Sequence, residues 1–322
     1  MENSQTYNQA LEFSVVIPVH NEQENIPELV DRLILVLEGL CDREGFTEDS
    51  FEIIIVDDGS WDNSWNLVQQ LHAKDQRLKG LKFSRNFGHH YAITAGLDFA
   101  KGNSVILMDG DLQDKPEEVV KLYDKFKEGY DLVYGIRNNR KDNPIKKAFA
   151  ALFWWSINKV ADVKMPENQT MLRILRRGMV DSLKEMKEYS RFIHGMMAWT
   201  GFEVTQIEVS HAPRLKGISK YDIKNQIRLA LHAVTSFSIM PLRLAAILGF
   251  LTSMLSFIVG AYFILKKMIF GFPVSGWASI MVSVFFMGGV QLLVLGTFGE
   301  YLGKLYRQAQ QRPMYILKEV LK

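Results

Sequence analysis

Two stretches of this chain carry no charged residue, Leu244 to Leu265 and Met268 to Gly299. The 22 residues of the first, rising about 1.5 Å each as a helix, are enough to cross a hydrocarbon layer of roughly 30 Å. The pattern predicts one membrane span over 244–265 and a second over 277–298, with Lys266-Lys267 and Phe270-Gly271-Phe272-Pro273 as the turn between them. A helical hairpin buried in a soluble core would need far more protein to cover it. Two spans return the chain to the side it left. From Ala212 to Arg243 six cations (Arg214, Lys216, Lys220, Lys224, Arg228, Arg243) stand against Asp222, so six minus one gives +5. Lys304, Arg307 and Arg312 follow the second span, and the turn has only two lysines. This bias places both large ends in the cytoplasm.

The rest of the chain is soluble in character. Its net charge of +2 gives no reason to expect nucleic-acid binding. A single cysteine, Cys41, excludes an internal disulfide and fits a reducing compartment. The first thirteen residues, MENSQTYNQALEF, lack the basic start and apolar core of a secretory signal.

Strand and helix signals alternate through the first 136 residues. Strands are expected at 13–17 (stopped by Pro18), 51–56, 78–83, 104–108 and 132–136. Helices are expected at 26–40, from a cap at Asp62 to about Lys74, at 91–100 and at 117–128, the last opened by Pro116, Glu117 and Glu118. Such alternation argues for a mostly parallel sheet covered on both faces, with ligands at the carboxyl ends of its strands. Ile145–Val160 mixes Phe149, Phe153, Trp154 and Trp155 with Lys146, Lys147 and Lys159. It suits either a membrane interface or a soluble core. Ile223–Met240 is a second amphipathic candidate.

The chemistry-bearing residues follow the strands. Asp109-Gly110-Asp111-Leu112-Gln113 comes directly after the apolar run Val105–Met108. Two carboxylates and an amide there offer hard oxygen ligands to Mg²⁺ or Mn²⁺, with a diphosphate and water completing the shell. Such a cation offsets charge on a departing nucleoside diphosphate. Asp57-Asp58 can accept hydrogen bonds from ribose hydroxyls or a base edge. There is no G-x-G-x-x-G after the first strand and no G-x-x-x-x-G-K-S/T, which argues against a nicotinamide enzyme and a P-loop NTPase. His89-His90 and His194 lack zinc-site partners and read as loop or core histidines.

Ser14–Glu22 (SVVIPVHNE), Val56–Ser60 (VDDGS) and Asp109–Asp114 (DGDLQD) together resemble glycosyltransferase family 2 with an α/β, Rossmann-like GT-A fold. Ser84–Gly88 (SRNFG), Arg214–Tyr221 (RLKGISKY) and Gly299–Gly303 (GEYLG) narrow the resemblance to bacterial polyprenyl-phosphate glycosyltransferases of the GtrB and ArnC types, relatives of dolichyl-phosphate mannose synthase. The resemblance implies inverting, metal-dependent transfer of one sugar from a nucleotide sugar, UDP-glucose in first place, to undecaprenyl phosphate. The reaction would sit at the cytoplasmic face of a bacterial inner membrane and supply cell-surface glycan modification. Carried over by position, Pro18, Asn21, Glu22, Asp57, Asp58 and Asp109 would line the nucleotide pocket. Asp111 and Gln113 would hold the metal, and Arg214, Ser219 and Lys220 would grip the acceptor phosphate. The resemblance also implies a homo-oligomer, a tetramer, in the bilayer.

One position departs from the pattern. Where many relatives carry an Asp before an aromatic residue and Arg, this chain has Met171 before Leu172 and Arg173, leaving Glu167 as the nearest carboxylate for a base. A phosphate monoester with a second pKa near 6 needs little help from one. The expected division is a catalytic domain over 1–221, a juxtamembrane helix over 222–243, the spans within 244–299 and a cytoplasmic tail over 300–322. Competing readings are another donor sugar (an aminoarabinose type, GlcNAc, galactose or GDP-mannose), a processive polysaccharide synthase, and a non-catalytic membrane scaffold. No Gln-x-x-Arg-Trp motif supports the synthase, and only Met171 supports the scaffold.

Overall fold

The computed structural model describes residues 11–137, 169–210, 240–270 and 276–322. The first stretch lays down β1 (Phe13–Val19), α1 (Ile26–Glu44), β2 (Phe51–Asp57), α2 (Ser64–Lys74), β3 (Leu78–Phe83), α3 (His89–Phe99), β4 (Ser104–Leu107), α4 (Glu118–Phe126) and β5 (Leu132–Ile136). Then come β6 (Gln169–Arg176), α5 (Arg177–Glu185), α6 (Ile193–Trp199) and β7 (Val204–Glu208). Two long helices follow, α7 (Met240–Phe270) and α8 (Trp277–Ala309), and last β8 (Leu317–Leu321).

The eight strands form one sheet in the order β7-β5-β6-β4-β1-β2-β3-β8. Its centre, β4-β1-β2-β3, is parallel, and β1, β2 and β4 are buried along their whole length, as strands covered on both faces must be. The flanks differ from the mostly parallel sheet expected. β6 runs antiparallel to both β4 and β5, and β8 runs antiparallel to β3. Val15, Ile17 and Val19 point to one face, where they pack with Leu29, Leu33 and Leu37 of α1, Val68 of α2 and Leu122 of α4. Each such side chain stabilises the fold by roughly 1.5–3 kcal/mol. Val16 points to the other face and lies against Gly96 of α3.

β1 does not stop at Pro18. Beyond Val16, β1 pairs only with β2, through Val19 opposite Asp57. The Val16 carbonyl accepts from Met108 on the β4 side, and the Val19 carbonyl accepts from Asp58 on the β2 side. Pro18, in register with Val16, therefore turns its missing N–H to the side where pairing has ended, and a proline is tolerated there. At the opposite end of the sheet a buried polar knot closes the strand starts. Ser14 Oγ donates to Glu52 Oε1 (2.6 Å), Lys79 Nζ donates to Glu52 Oε2 (2.5 Å), and the Lys101 N–H donates to Glu52 Oε1 (2.8 Å).

Among the described residues, 11–137, 169–210 and 313–322 belong to one compact unit, and 240–270 with 276–312 to another. In the second unit, Met240–Ile269 and Ser279–Ala309 are each long and apolar enough to cross a membrane. Their large apolar side chains, Phe257 and Phe285 among them, are exposed, so no protein core within the described residues covers them. Lys266 and Lys267 lie inside α7 rather than in the turn, in a stretch after Gly260 that has no Gly or Pro up to the helix's last residue, Phe270. The segment expected as a cytoplasmic tail, 300–322, contains the end of α8 and β8, a strand of the first unit's sheet.

Candidate active site

The carboxyl ends of β1, β2 and β4 carry the chemistry, and local hydrogen bonds tie their loops together. Asn21, with φ 59, donates its N–H to Ser60 Oγ (2.9 Å), and its Oδ1 accepts from the Trp61 N–H (3.0 Å). The Glu22 N–H donates to Ser64 Oγ (3.0 Å), while Glu22 Oε2 accepts from Asn25 Nδ2 (2.6 Å). Asp62 accepts from the Ser64 N–H (3.0 Å), so it closes the turn just ahead of α2. Asn21 and Glu22 thus tie the loop after β1 to the loop after β2.

The neighbouring carboxylates Asp57 and Asp58 are buried and have different work. Asp57 Oδ1 accepts the Ser60 N–H (3.0 Å), while Oδ2 is buried with no hydrogen-bond partner among the described residues. A buried carboxylate oxygen left unpaired is costly and marks a place for a ligand's donor. Both Asp58 oxygens are taken by the protein, with the Phe87 N–H at 2.7 Å and the Gly88 N–H at 3.0 Å. Burial raises the Asp58 pKa despite these bonds. Asp58 thus clamps loop 84–88. Gly59, at φ +69, has no room for a side chain, since a Cβ would lie 2.5 Å from the Arg85 carbonyl carbon.

The loop after β4 folds back on itself. Gly110 lets it pass β1, where a Cβ would sit 2.8 Å from Val19 Cγ1. Leu112 is buried at φ 59. That left-handed turn brings Asp111 and Gln113 to one side: the Gln113 N–H donates to Asp111 Oδ1 (3.1 Å) and Nε2 to Oδ2 (2.8 Å). Turning the amide over would present Oε1 beside the carboxylate, a pair of hard oxygens suited to Mg²⁺ or Mn²⁺. Asp109 is pushed up to about 7, first by desolvation and then by the like charges of Asp111 and Asp114. Its side chain remains 34% exposed, which weakens the desolvation effect and leaves the like charges as the firmer cause. That crowding of negative charge is what a cation relieves. Among the described residues no three His, Cys, Asp or Glu converge on one metal position, so the rest of the shell would come from a ligand.

Behind this loop lies a cluster that the sequence reading missed. Arg173 of β6 is fully buried. Its guanidinium donates to the carbonyls of Thr170 (2.7 Å) and Met171 (3.3 Å) and lies 3.4 Å from His194 Nε2. Desolvation lowers its pKa to about 10, while Asp109 and Asp114 oppose that shift. His90 and His194 pack ring to ring with centroids 5.9 Å apart. Burial and Arg173 hold both neutral, His90 down to about 3. His89 Nε2 stands 3.5 Å from Asp109 Oδ1. The available signal was an arginine inside the apolar run Met171-Leu172-Arg173-Ile174-Leu175. Met171 is buried on β6 and carries no group able to take a proton. Glu167, Arg214, Ser219 and Lys220 lie outside the described residues, as do Ile145–Val160 and Ile223–Met240 except for Met240, the first residue of α7.

A parallel-centred mixed sheet with an acidic loop and a buried carboxylate at its carboxyl edge defines a GT-A-type fold. The family model described as "Glycosyl transferase family 2" matches residues 14–184. The chain belongs to that family and is a glycosyltransferase. It is 38% identical to an uncharacterized glycosyltransferase of Synechocystis sp., over 96% of each chain. It is 36% identical to the uncharacterized glycosyltransferase YkcC of Bacillus subtilis, over 96% of this chain and 94% of that one. Identity to the bactoprenol glucosyl transferase of Shigella phage SfV is also 36%, over 96% of this chain and 98% of the phage protein.

Proposed function

We propose that the protein transfers a single glucosyl unit from UDP-glucose to undecaprenyl phosphate, with inversion, at the cytoplasmic face of a bacterial inner membrane. The observation that carries the reading is a buried Asp57 oxygen, unpaired among the described residues, together with the Asp111–Gln113 oxygen set on the loop after β4, with β1 between β2 and β4. Relatives named bactoprenol glucosyl transferase, matched over nearly the whole chain, support the acceptor and the sugar.

Asp57 Oδ2 accepts an N–H of the donor's base, and Asn21, Glu22 and Pro18 wall that pocket. Asp109 faces the nucleotide, while Asp111 and Gln113 would hold Mg²⁺ or Mn²⁺. When bound, such an ion neutralises the diphosphate that departs as UDP. Arg214, Ser219 and Lys220 hold the acceptor phosphate by charge-assisted hydrogen bonds, within a basic segment suited to a lipid-borne anion at a membrane surface. A phosphate oxygen attacks the anomeric carbon from the face opposite the UDP. The new C–O bond forms as the old one breaks, the electron pair leaves with UDP, and the configuration inverts. The dianionic phosphate carries no proton that must be removed, so positioning and electrostatics carry the catalysis without a base at Met171 or Glu167. α7 and α8 anchor the enzyme as two spans with both ends cytoplasmic, and the protein assembles as a homo-oligomer.

The test is a panel of UDP- and GDP-sugars offered with undecaprenyl phosphate and Mn²⁺ or Mg²⁺ to the detergent-purified protein, with initial rates followed by mass spectrometry. UDP-glucose should be the fastest donor. A faster GDP-mannose or UDP-GlcNAc would reassign the sugar, and polymer would reassign the class.

A further inference from the structure

We propose that Tyr315 and Ile316, just ahead of β8, are a working part of the donor site, with Tyr315 as the positioning residue. The proposal rests on the reading of the Asp57 pocket as a nucleotide site. β8 pairs with β3 from Gly80 to Phe83, which alone would be an ordinary cover for a sheet edge. The contacts ahead of β8 go further, toward the carboxyl end where the site lies. The Tyr315 ring stacks on Phe83, with centroids 5.2 Å apart and planes at 13°, and Phe83 meets Phe87 edge-on at 5.5 Å. The Ile316 carbonyl accepts the Ser84 N–H at 2.9 Å. The Tyr315 hydroxyl donates to Asp98 Oδ2, in the last turn of α3, at 2.8 Å.

Loop 84–88 joins β3 to α3; Ile316 holds its first residue, Ser84, Tyr315 stacks on Phe83 just before it, and the Tyr315 hydroxyl is tied to the far end of α3. That same loop supplies the Phe87 and Gly88 N–H groups that hold Asp58, and its Arg85 backbone fills the space beside Gly59. Asp58 and Gly59 directly follow Asp57, whose Oδ2 awaits a donor. A chain of contacts therefore links the segment after α8 to the proposed nucleotide pocket: Ile316 on Ser84 and Tyr315 through Phe83 on Phe87, the loop on Asp58, and Asp58 beside Asp57. Glu319 pins the rest of the strand, accepting from Trp65 Nε1 (2.9 Å) and Gln69 Nε2 (3.3 Å) of α2. A loop held this way is pre-organised, and releasing it adds an ordering cost to nucleotide binding.

The test is calorimetric titration of the full-length, detergent-purified protein with UDP and Mn²⁺, alongside thermal melting. Tyr315→Ala should raise the UDP Kd about tenfold or more. Tyr315→Phe keeps the stacked ring, loses only the bond to Asp98, and should raise Kd about threefold; it carries the test if the alanine variant does not fold. The donor KM should rise with Kd while kcat at saturating donor holds. Lys318→Ala, exposed on the same strand, should leave Kd unchanged. Leu37→Val loosens the α1 core away from loop 84–88 and should lower the melting temperature without moving Kd. A Tyr315 variant that binds UDP as wild type does, or a Leu37→Val variant that loses as much affinity, overturns the positioning role alone. A wild type that binds no UDP overturns both this role and the nucleotide reading beneath it.

Discussion

Gln113 grips Asp111 twice across one intervening residue, through its backbone N–H to Oδ1 at 3.1 Å and its Nε2 to Oδ2 at 2.8 Å. The left-handed Leu112 between them makes the double contact possible. In the proposed reaction the two side chains would hold a divalent cation, which would supply charge neutralisation to the departing diphosphate. Asp111→Asn should then lower kcat at least about 100-fold, on the scale of removing one electrostatic stabiliser of a transition state. Gln113→Ala should cost about tenfold and raise the Mn²⁺ concentration for half-maximal rate. Glu167→Gln should cost less than about threefold, against the 10²–10⁴ that a general base contributes. Parallel turnover assays decide it, and equal losses for Asp111→Asn and Glu167→Gln would restore a base to the mechanism.

Asp57→Asn keeps an oxygen for the Ser60 N–H and replaces the free Oδ2 with an amide that donates instead of accepting. Its amide would face the base N–H donor to donor. The UDP Kd should rise about tenfold or more with the melting temperature nearly unchanged. Asp58→Asn should raise the UDP Kd together with a lower melting temperature, because its carboxylate serves Phe87 and Gly88 and its loss loosens loop 84–88. Calorimetry and melting curves on both variants separate the two roles.

The histidines behind the site make stability depend on pH. His90 and His194 are depressed by desolvation, and Arg173 and the neighbouring imidazoles add to the shift. Their folded pKa values lie below the ordinary value of 6.5, so below that pH the unfolded chain binds protons that the folded one refuses. The stability they contribute is present above about 6.5 and is lost as the pH falls below it, for His90 toward about 3. Asp109, raised to about 7, works in the opposite direction, so the comparison has to be made at the histidines themselves. His90→Gln should flatten the melting temperature between pH 6.5 and 4 relative to wild type, and a parallel profile would refute the assignment.

Glu52 lies at the far end of the sheet and ties Ser14, Lys79 and Lys101 together. Glu52→Gln should destabilise the fold by about 1–3 kcal/mol in urea titrations, because part of a buried network loses its charged partner. UDP affinity should be unchanged, since no residue of that knot reaches the nucleotide loops.

The sequence made β1 to β5 legible because each is a short apolar run bounded by polar turns, and the acidic loops after β2 and β4 pointed to the working edge. Pro18 misled at the end of β1 because its tolerance depends on β4 pairing only as far as Val16. β6 and β8 were hidden for a related reason. Arg173 breaks the apolar pattern of β6, and Lys318 and Glu319 put a charge on each face of β8, so both are strands only through partners distant in sequence. The unlike roles of Asp57 and Asp58 are set by loop 84–88, and neighbouring residues of one type offer no local cue to it. The buried Arg173–histidine cluster arises from β6, α3 and α6 meeting in space, which no spacing rule encodes.

The central claim is most directly tested by the mass of undecaprenyl phosphate after incubation with purified protein, UDP-glucose and Mn²⁺. The account predicts lipid heavier by one hexose and no more, formed with release of UDP, lost on adding EDTA and nearly absent with Asp111→Asn. Lipid of unchanged mass, from a preparation that still binds UDP, would contradict it.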